Sequence, residues 1–121
     1  VSKQLKQSNS KLGRDREYYR LEFVRKHYGA KLGGRFRGSQ ISKAWTNNLK
    51  FNPKIDLWYI TPKEMFFEQL KTAKKGNTAR ISKKEIAQVQ QFADLFKNYN
   101  FVWVGYVLKN YRKKPIEIRL N

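Results

Sequence analysis

At 121 residues the chain is long enough for one hydrophobic core and too short for two. Its 40% apolar and 15% aromatic content is that of a folding domain, and the absence of cysteine excludes disulfides, thiol catalysis and cysteine-built zinc sites. Lys and Arg number 27 against 9 acids, a formal charge of +18, which strains against itself unless a polyanion neutralises it, and nucleic acid is the default polyanion.

The single histidine, His27, confines any nucleophilic triad to its own surroundings and rules out a two-histidine metal site. The apolar runs are too short to span a bilayer and the start shows no signal-peptide core, so the chain reads as soluble and intracellular. That means cytoplasm or nucleoid, or host cytoplasm for a viral protein. A membrane surface is disfavoured, because no stretch pairs a clean apolar helix face with a basic one. The plain alternative for the charge is a surface that keeps the chain soluble.

Residues 1–12 are polar and basic and read as a flexible N-terminal arm, with a single domain over 13–121. Residues 14–28 read as a helix closed by Gly29. At 100° per residue Tyr18, Leu21, Val24 and Tyr28 form its apolar stripe. Glu17 lies within that stripe, where an acid is costly without a partner. Residues 30–38 read as a short, glycine-broken strand leading to Ser39. A long polar loop follows over 40–54, around Trp45; loops of this length in compact domains are usually functional or mobile. Ile55–Ile60 and Glu64–Lys71, joined by Thr61-Pro62-Lys63, predict an antiparallel hairpin. Residues 72–81 form a basic loop. Ser82-Lys83-Lys84-Glu85 has the capping-box pattern and starts a second helix, with Ile86, Val89, Ala93 and Phe96 as its stripe. Strands follow at Phe101–Leu108 and Pro115–Leu120, separated by a basic turn. The order is α-β-β-β-α-β-β.

Strand side chains alternate, so Met65, Phe67, Gln69 and Lys71 share one face while Phe66, Glu68 and Leu70 share the other. Asp56 lies on the partner strand near the end that meets Gln69 and Lys71, and the first helix must pack on this sheet with Glu17. Two carboxylates, an amide oxygen and an ammonium can thus converge. Oxygen ligands of this kind suit Mg²⁺, with Mn²⁺ as a substitute. Such an ion lowers the pKa of a bound water and polarises a phosphoryl oxygen, while an adjacent lysine orients the water or neutralises developing charge. Taken by spacing alone, Asp56 and Lys71 are more often a structural ion pair or solvated strand ends, Glu17 a salt-bridged helix residue and Ser39 a turn residue.

From about Leu12 to Leu120 the element order and local motifs resemble the archaeal-type Holliday junction resolvases of the PD-(D/E)xK nuclease superfamily. Gly13-Arg14-Asp15-Arg16-Glu17, ahead of a helix ending Arg25-Lys26-His27-Tyr28-Gly29, is similar to that family's opening. Arg37-Gly38-Ser39 is similar to its serine-bearing loop, Pro53-Lys54-Ile55-Asp56-Leu57 to its P-D-(I/L) strand, and Glu68-Gln69-Leu70-Lys71 falls where the family has an E-V-K-like triplet. The Thr72–Arg80 loop, the capped helix with Phe92 and the strand with Val102 and Val104 follow in family order. The resemblance implies an α/β, restriction-endonuclease-like fold with a central mixed sheet flanked by helices. It implies a homodimer that cuts opposing strands of a four-way DNA junction, with Glu17, Asp56 and Gln69 as metal ligands, Lys71 at the attacking water and Ser39 close to the cleaved strand. Three features depart from it, the first being that Pro53 is not adjacent to Asp56. Gln69 stands where the family usually has Glu, which removes a charge and lowers metal affinity. The stretch between Ser39 and Asp56 is longer than the family norm.

Expected DNA contacts are Arg35, Arg37, Lys43, Lys74, Lys75 and Arg80, and Phe92, Phe96 or Trp103 could supply apolar dimer surface if they are not core. Two other readings stay open: a branched-DNA or repair nuclease with the same site, and a non-catalytic nucleic-acid binder with a decayed site in which Trp45, Trp58 and Tyr59 stack on bases.

Overall fold

The computed structural model describes the backbone of residues 9–36 and 53–121 and, within these, the side chains from Leu12 onward. Among these described residues two helices and five strands follow in the expected order: α1 (Asn9–His27), β1 (Leu32–Arg35), β2 (Leu57–Ile60), β3 (Met65–Thr72), α2 (Lys83–Asp94), β4 (Val102–Lys109) and β5 (Ile116–Arg119). Ser39, Arg37, Lys43, Trp45 and most of the 40–54 loop lie outside the described residues.

The strands form one mixed sheet in the order β1-β2-β3-β4-β5. β1, β2 and β3 pair antiparallel, with Leu57 opposite Glu68 and Ile60 opposite Met65, so the predicted hairpin is present. β3 and β4 pair parallel over eight residues, Met65 with Val102 through Thr72 with Lys109. A parallel pair needs a crossover, and α2 supplies it. β5 returns antiparallel on β4. The two strands come so close there that a Cβ on Gly105 would meet the Ile118 carbonyl oxygen at 1.9 Å, so no side chain fits.

Each face of the sheet carries its own apolar cluster. Under α2, Phe67, Val102 and Val104 pack with Val89, Phe92 and Ala93. On the face covered by α1, Leu57, Leu70 and Val107 are buried, with Leu21 against them. The capping box is formed: the Ser82 hydroxyl accepts from the Glu85 N–H at 3.1 Å and the Glu85 carboxylate reaches back to the Ser82 N–H. α1 ends as expected, with Gly29 in the left-handed region at φ 71° and the Ala30 N–H returning to the Val24 carbonyl.

Three expectations need correction. α1 begins at Asn9, earlier than residue 14. Its expected stripe is buried only in part: Val24 is buried and Leu21 packs against a core cluster, but Tyr18 is 57% exposed and Tyr28 37%, and Arg20 is buried instead. Arg20 displaces the tyrosines because it has partners there, as described below. Phe92 belongs to the core at 6% exposure and offers no dimer surface; Phe96, beyond the end of α2, and Trp103 are partly buried against the clusters.

Candidate active site

Lys54 adopts a left-handed conformation at φ 54°, which turns the chain into β2. Asp56 then joins the ladder, its N–H donating to the Glu68 carbonyl at 2.9 Å. Extending the β2–β3 register by one residue sets Asp56 opposite Gln69. Its Oδ2 accepts the Leu70 N–H at 2.8 Å, taking over a donor that the turning backbone leaves behind. Burial pushes the Asp56 carboxyl up to about 6; the Leu70 N–H opposes this, nearby Glu17 adds to it, and Lys71 opposes it again.

Glu17 arrives from α1 and is ion-paired with Arg35 of β1, the partner that an acid on a core-facing helix position needs. Arg35, an expected DNA contact, is therefore committed to the site. Gln69 is buried at 5% exposure, and its Oε1 has no hydrogen-bond partner among the described residues. Lys71 Nζ lies 2.5 Å from Glu85 Oε2, and the Glu85 carboxyl also closes the α2 cap. Burial raises the Glu85 carboxyl, but Lys71 and Ser82 outweigh it and hold it below its ordinary value.

Glu17, Asp56, Gln69 and Lys71 line one open cleft of about 280 Å³, together with Gly13, Arg16, Leu70 and Thr72. The four groups expected to converge do so. Among the described residues no three His, Cys, Asp or Glu side chains cluster to hold a metal, so a metal here needs Gln69 as a donor beside the two carboxylates. The set fits one: it is made of oxygens, and a buried amide oxygen without a partner is what a hard cation would satisfy. Lys74, Lys75 and Arg80 are exposed on the loop after β3, while Ser39, Arg37 and Lys43 fall outside the described residues.

Glu68 points to the other face, as the strand alternation requires. There it receives Arg20 Nε at 2.7 Å and the Tyr59 hydroxyl at 3.1 Å, while Arg20 Nη2 also reaches Glu117 at 2.5 Å. Burial raises Glu68 above the ordinary carboxylate range, against the pull of Arg20 and Tyr59. This buried network belongs to the scaffold beneath α1. Glu85 and Arg16 were missed from sequence. The Glu85 capping signal was visible, but nothing in its spacing from Lys71 announces a contact.

No protein-family model and no curated protein matches the sequence. A solved structure does match: that of Archaeoglobus fulgidus Hjc, a Holliday junction resolvase from an archaeal hyperthermophile. It superposes with a TM-score of 0.52 at 20% identity, covering 85% of this chain and 74% of the archaeal one. The two chains share a fold, here a mixed five-stranded sheet with two helices. Among the described residues no helix is long and apolar enough to cross a membrane.

Proposed function

We propose that the protein is a metal-dependent, structure-selective DNA endonuclease that resolves four-way junctions by phosphodiester hydrolysis, acting as a homodimer. The observation that carries this reading is the convergence of Glu17, Asp56, Gln69 and Lys71 on one cleft in a chain of charge +18, with Gln69 Oε1 buried and unpartnered among the described residues. The shared fold with an archaeal Holliday junction resolvase supports the junction as substrate.

Glu17, Asp56 and Gln69 would hold Mg²⁺. When bound, the ion supplies a water of lowered pKa and polarises a phosphoryl oxygen. Arg35 fixes Glu17 by one carboxylate oxygen and leaves the other for the ion. Lys71 would donate to the negative charge that develops on the phosphate as a water oxygen adds to phosphorus, one P–O ester bond breaks, and the water's proton passes through solvent to the departing sugar oxygen. Glu85 holds Lys71 at the mouth of the cleft. Distributed Lys and Arg read backbone and shape, as selection of a branched structure requires.

The test is a gel assay on a labelled immobile four-way junction with Mg²⁺, with linear duplex and flap controls and Asp56→Ala in parallel. Paired symmetric nicks from the wild type alone, confined to the junction, support the reading. Cutting of flaps or ends with the junction intact moves the substrate to other branched or damaged DNA. A second reading, a non-catalytic DNA binder, draws on the fact that Glu17 and Lys71 already have counterions in Arg35 and Glu85. It predicts tight junction binding with no cleavage in either Mg²⁺ or Mn²⁺.

A further inference from the structure

Between α1 and the turn joining β4 to β5 lies a second pocket, of about 440 Å³. Its walls include Arg16 and Tyr19 from α1, Thr72 and Lys74 from the end of β3 and beyond it, and Tyr111 and Arg112 from the turn. Both tyrosines are unusually open for large aromatic side chains: Tyr19 is 76% exposed and Tyr111 45%. Arg112 stands 5.3 Å from the centre of the Tyr111 ring. Among the described residues no carboxylate lines the pocket, and Arg16, Lys74 and Arg112 have no acidic partner. Thr72 Oγ1 is buried without a hydrogen-bond partner among the described residues. Arg16 and Thr72 also line the cleft that holds Asp56 and Lys71, so the pocket and the cleft share a wall.

Exposed aromatic rings and a largely apolar lining beside cations without an acidic partner suit a nucleotide: the base packs on the rings and the phosphate meets the cations. A base inside a duplex is already stacked and cannot reach a ring face, so the occupant has to be unstacked. We propose that this pocket takes one unstacked nucleotide of the DNA strand to be cut. Its base lies against Tyr19 and Tyr111 and its flanking phosphates against Arg16, Lys74 and Arg112. The inference rests on the nuclease reading for its place beside a scissile phosphate. It gives that reading a physical basis for selectivity, because stacking is interrupted between arms at a branch point, which lowers the cost of unstacking a nucleotide there relative to continuous duplex.

The experiment is fluorescence anisotropy in EDTA, where nothing is cut, with a labelled short oligothymidylate and a duplex of the same length. Tyr19→Ala and Tyr111→Ala should each weaken single-strand binding about tenfold and duplex binding by less than about twofold, with Tyr19→Phe close to wild type. Equal losses on both ligands, no loss on either, or a Tyr19→Phe as weak as the alanine variant would overturn the proposal. Tighter binding of oligouridylate than of oligothymidylate would overturn the assignment to DNA. Because the readout contains no metal and no cleavage, an inactive wild type in the junction assay removes the nuclease reading without altering this result.

Discussion

Lys71, at the end of β3, is held 2.5 Å from Glu85, the residue that closes the N-terminal cap of α2. One carboxylate therefore stabilises a helix and positions an ammonium at the candidate site. The two roles separate by substitution. Glu85→Gln keeps an oxygen for the Ser82 donors but loses the ion pair, so its melting temperature should stay near wild type while junction cleavage falls about tenfold, the range expected when a catalytic group loses its anchor. Glu85→Ala removes the cap as well and should cost about 1 kcal/mol of stability. Cleavage at the wild-type rate by Glu85→Gln would show that Lys71 needs no anchor.

Asp56 carries a stability signature that metal binding should erase. Its folded pKa, about 6, lies above the ordinary 3.8, so the metal-free fold holds this proton more tightly than the unfolded chain does. The resulting contribution is fully present below pH 3.8 and is lost as the pH rises through about 6. The gap between the two values corresponds to at most about 3 kcal/mol. Asp56→Asn retains an oxygen for the Leu70 N–H without the charge. The metal-free variant should therefore melt above the wild type at pH 8 and no higher at pH 4. Mg²⁺ at pH 8 should raise the melting temperature of the wild type and leave the variant unchanged. Thermal unfolding at the two pH values, with and without Mg²⁺, measures both effects.

Arg20 at 6% exposure and Glu68 at 0% form an ion pair completed by Tyr59 and Glu117. Removing one member strands the other's charge in the interior, so Arg20→Ala or Glu68→Ala should each cost about 3–5 kcal/mol. The double replacement Arg20→Met with Glu68→Leu removes both charges together and should lose much less. Chemical denaturation of the three variants gives the comparison; equal losses from the single and double replacements would mean that packing, not charge, decides the site.

These cases explain what the sequence disclosed. Asp56, Gln69 and Lys71 were legible because a strand has period two, and because a carboxylate and an ammonium stand out in apolar runs. Glu17 was legible as an acid on a face that must pack, although its partner Arg35 was not: an arginine on a glycine-rich strand in so basic a chain reads as a DNA contact. The face of α1 was legible at Leu21 and Val24 but misread at its ends, because Tyr18 and Tyr28 weigh more on a hydropathy stripe than Arg20 does. Arg20 is buried because Glu68 and Glu117, 48 and 97 residues away, both reach it. Contacts at that separation leave no periodicity to read. The Lys71–Glu85 pair is hidden for the same reason, although each residue belongs to a local pattern.

Gln69 tests how far the site has been tuned. The amide supplies an oxygen without a charge, so the cleft holds two carboxylates, one of them raised by burial and by the other's proximity. Gln69→Glu adds a third carboxylate at a position with 5% exposure, directly across the ladder from Asp56. With metal, the extra charge should tighten Mg²⁺ binding about tenfold, a gain of about 1.4 kcal/mol. Without metal, three neighbouring acids cannot all ionise in a desolvated cleft, so the variant should be less stable than the wild type at pH 8 and recover as the pH falls. Calorimetric titration with Mg²⁺ and unfolding in EDTA read the two effects separately. Tighter binding together with a less stable metal-free fold would identify Gln69 as a metal ligand whose neutrality relieves charge repulsion. Unchanged Mg²⁺ affinity would remove Gln69 from the ligand set and leave its buried oxygen a packing feature of β3.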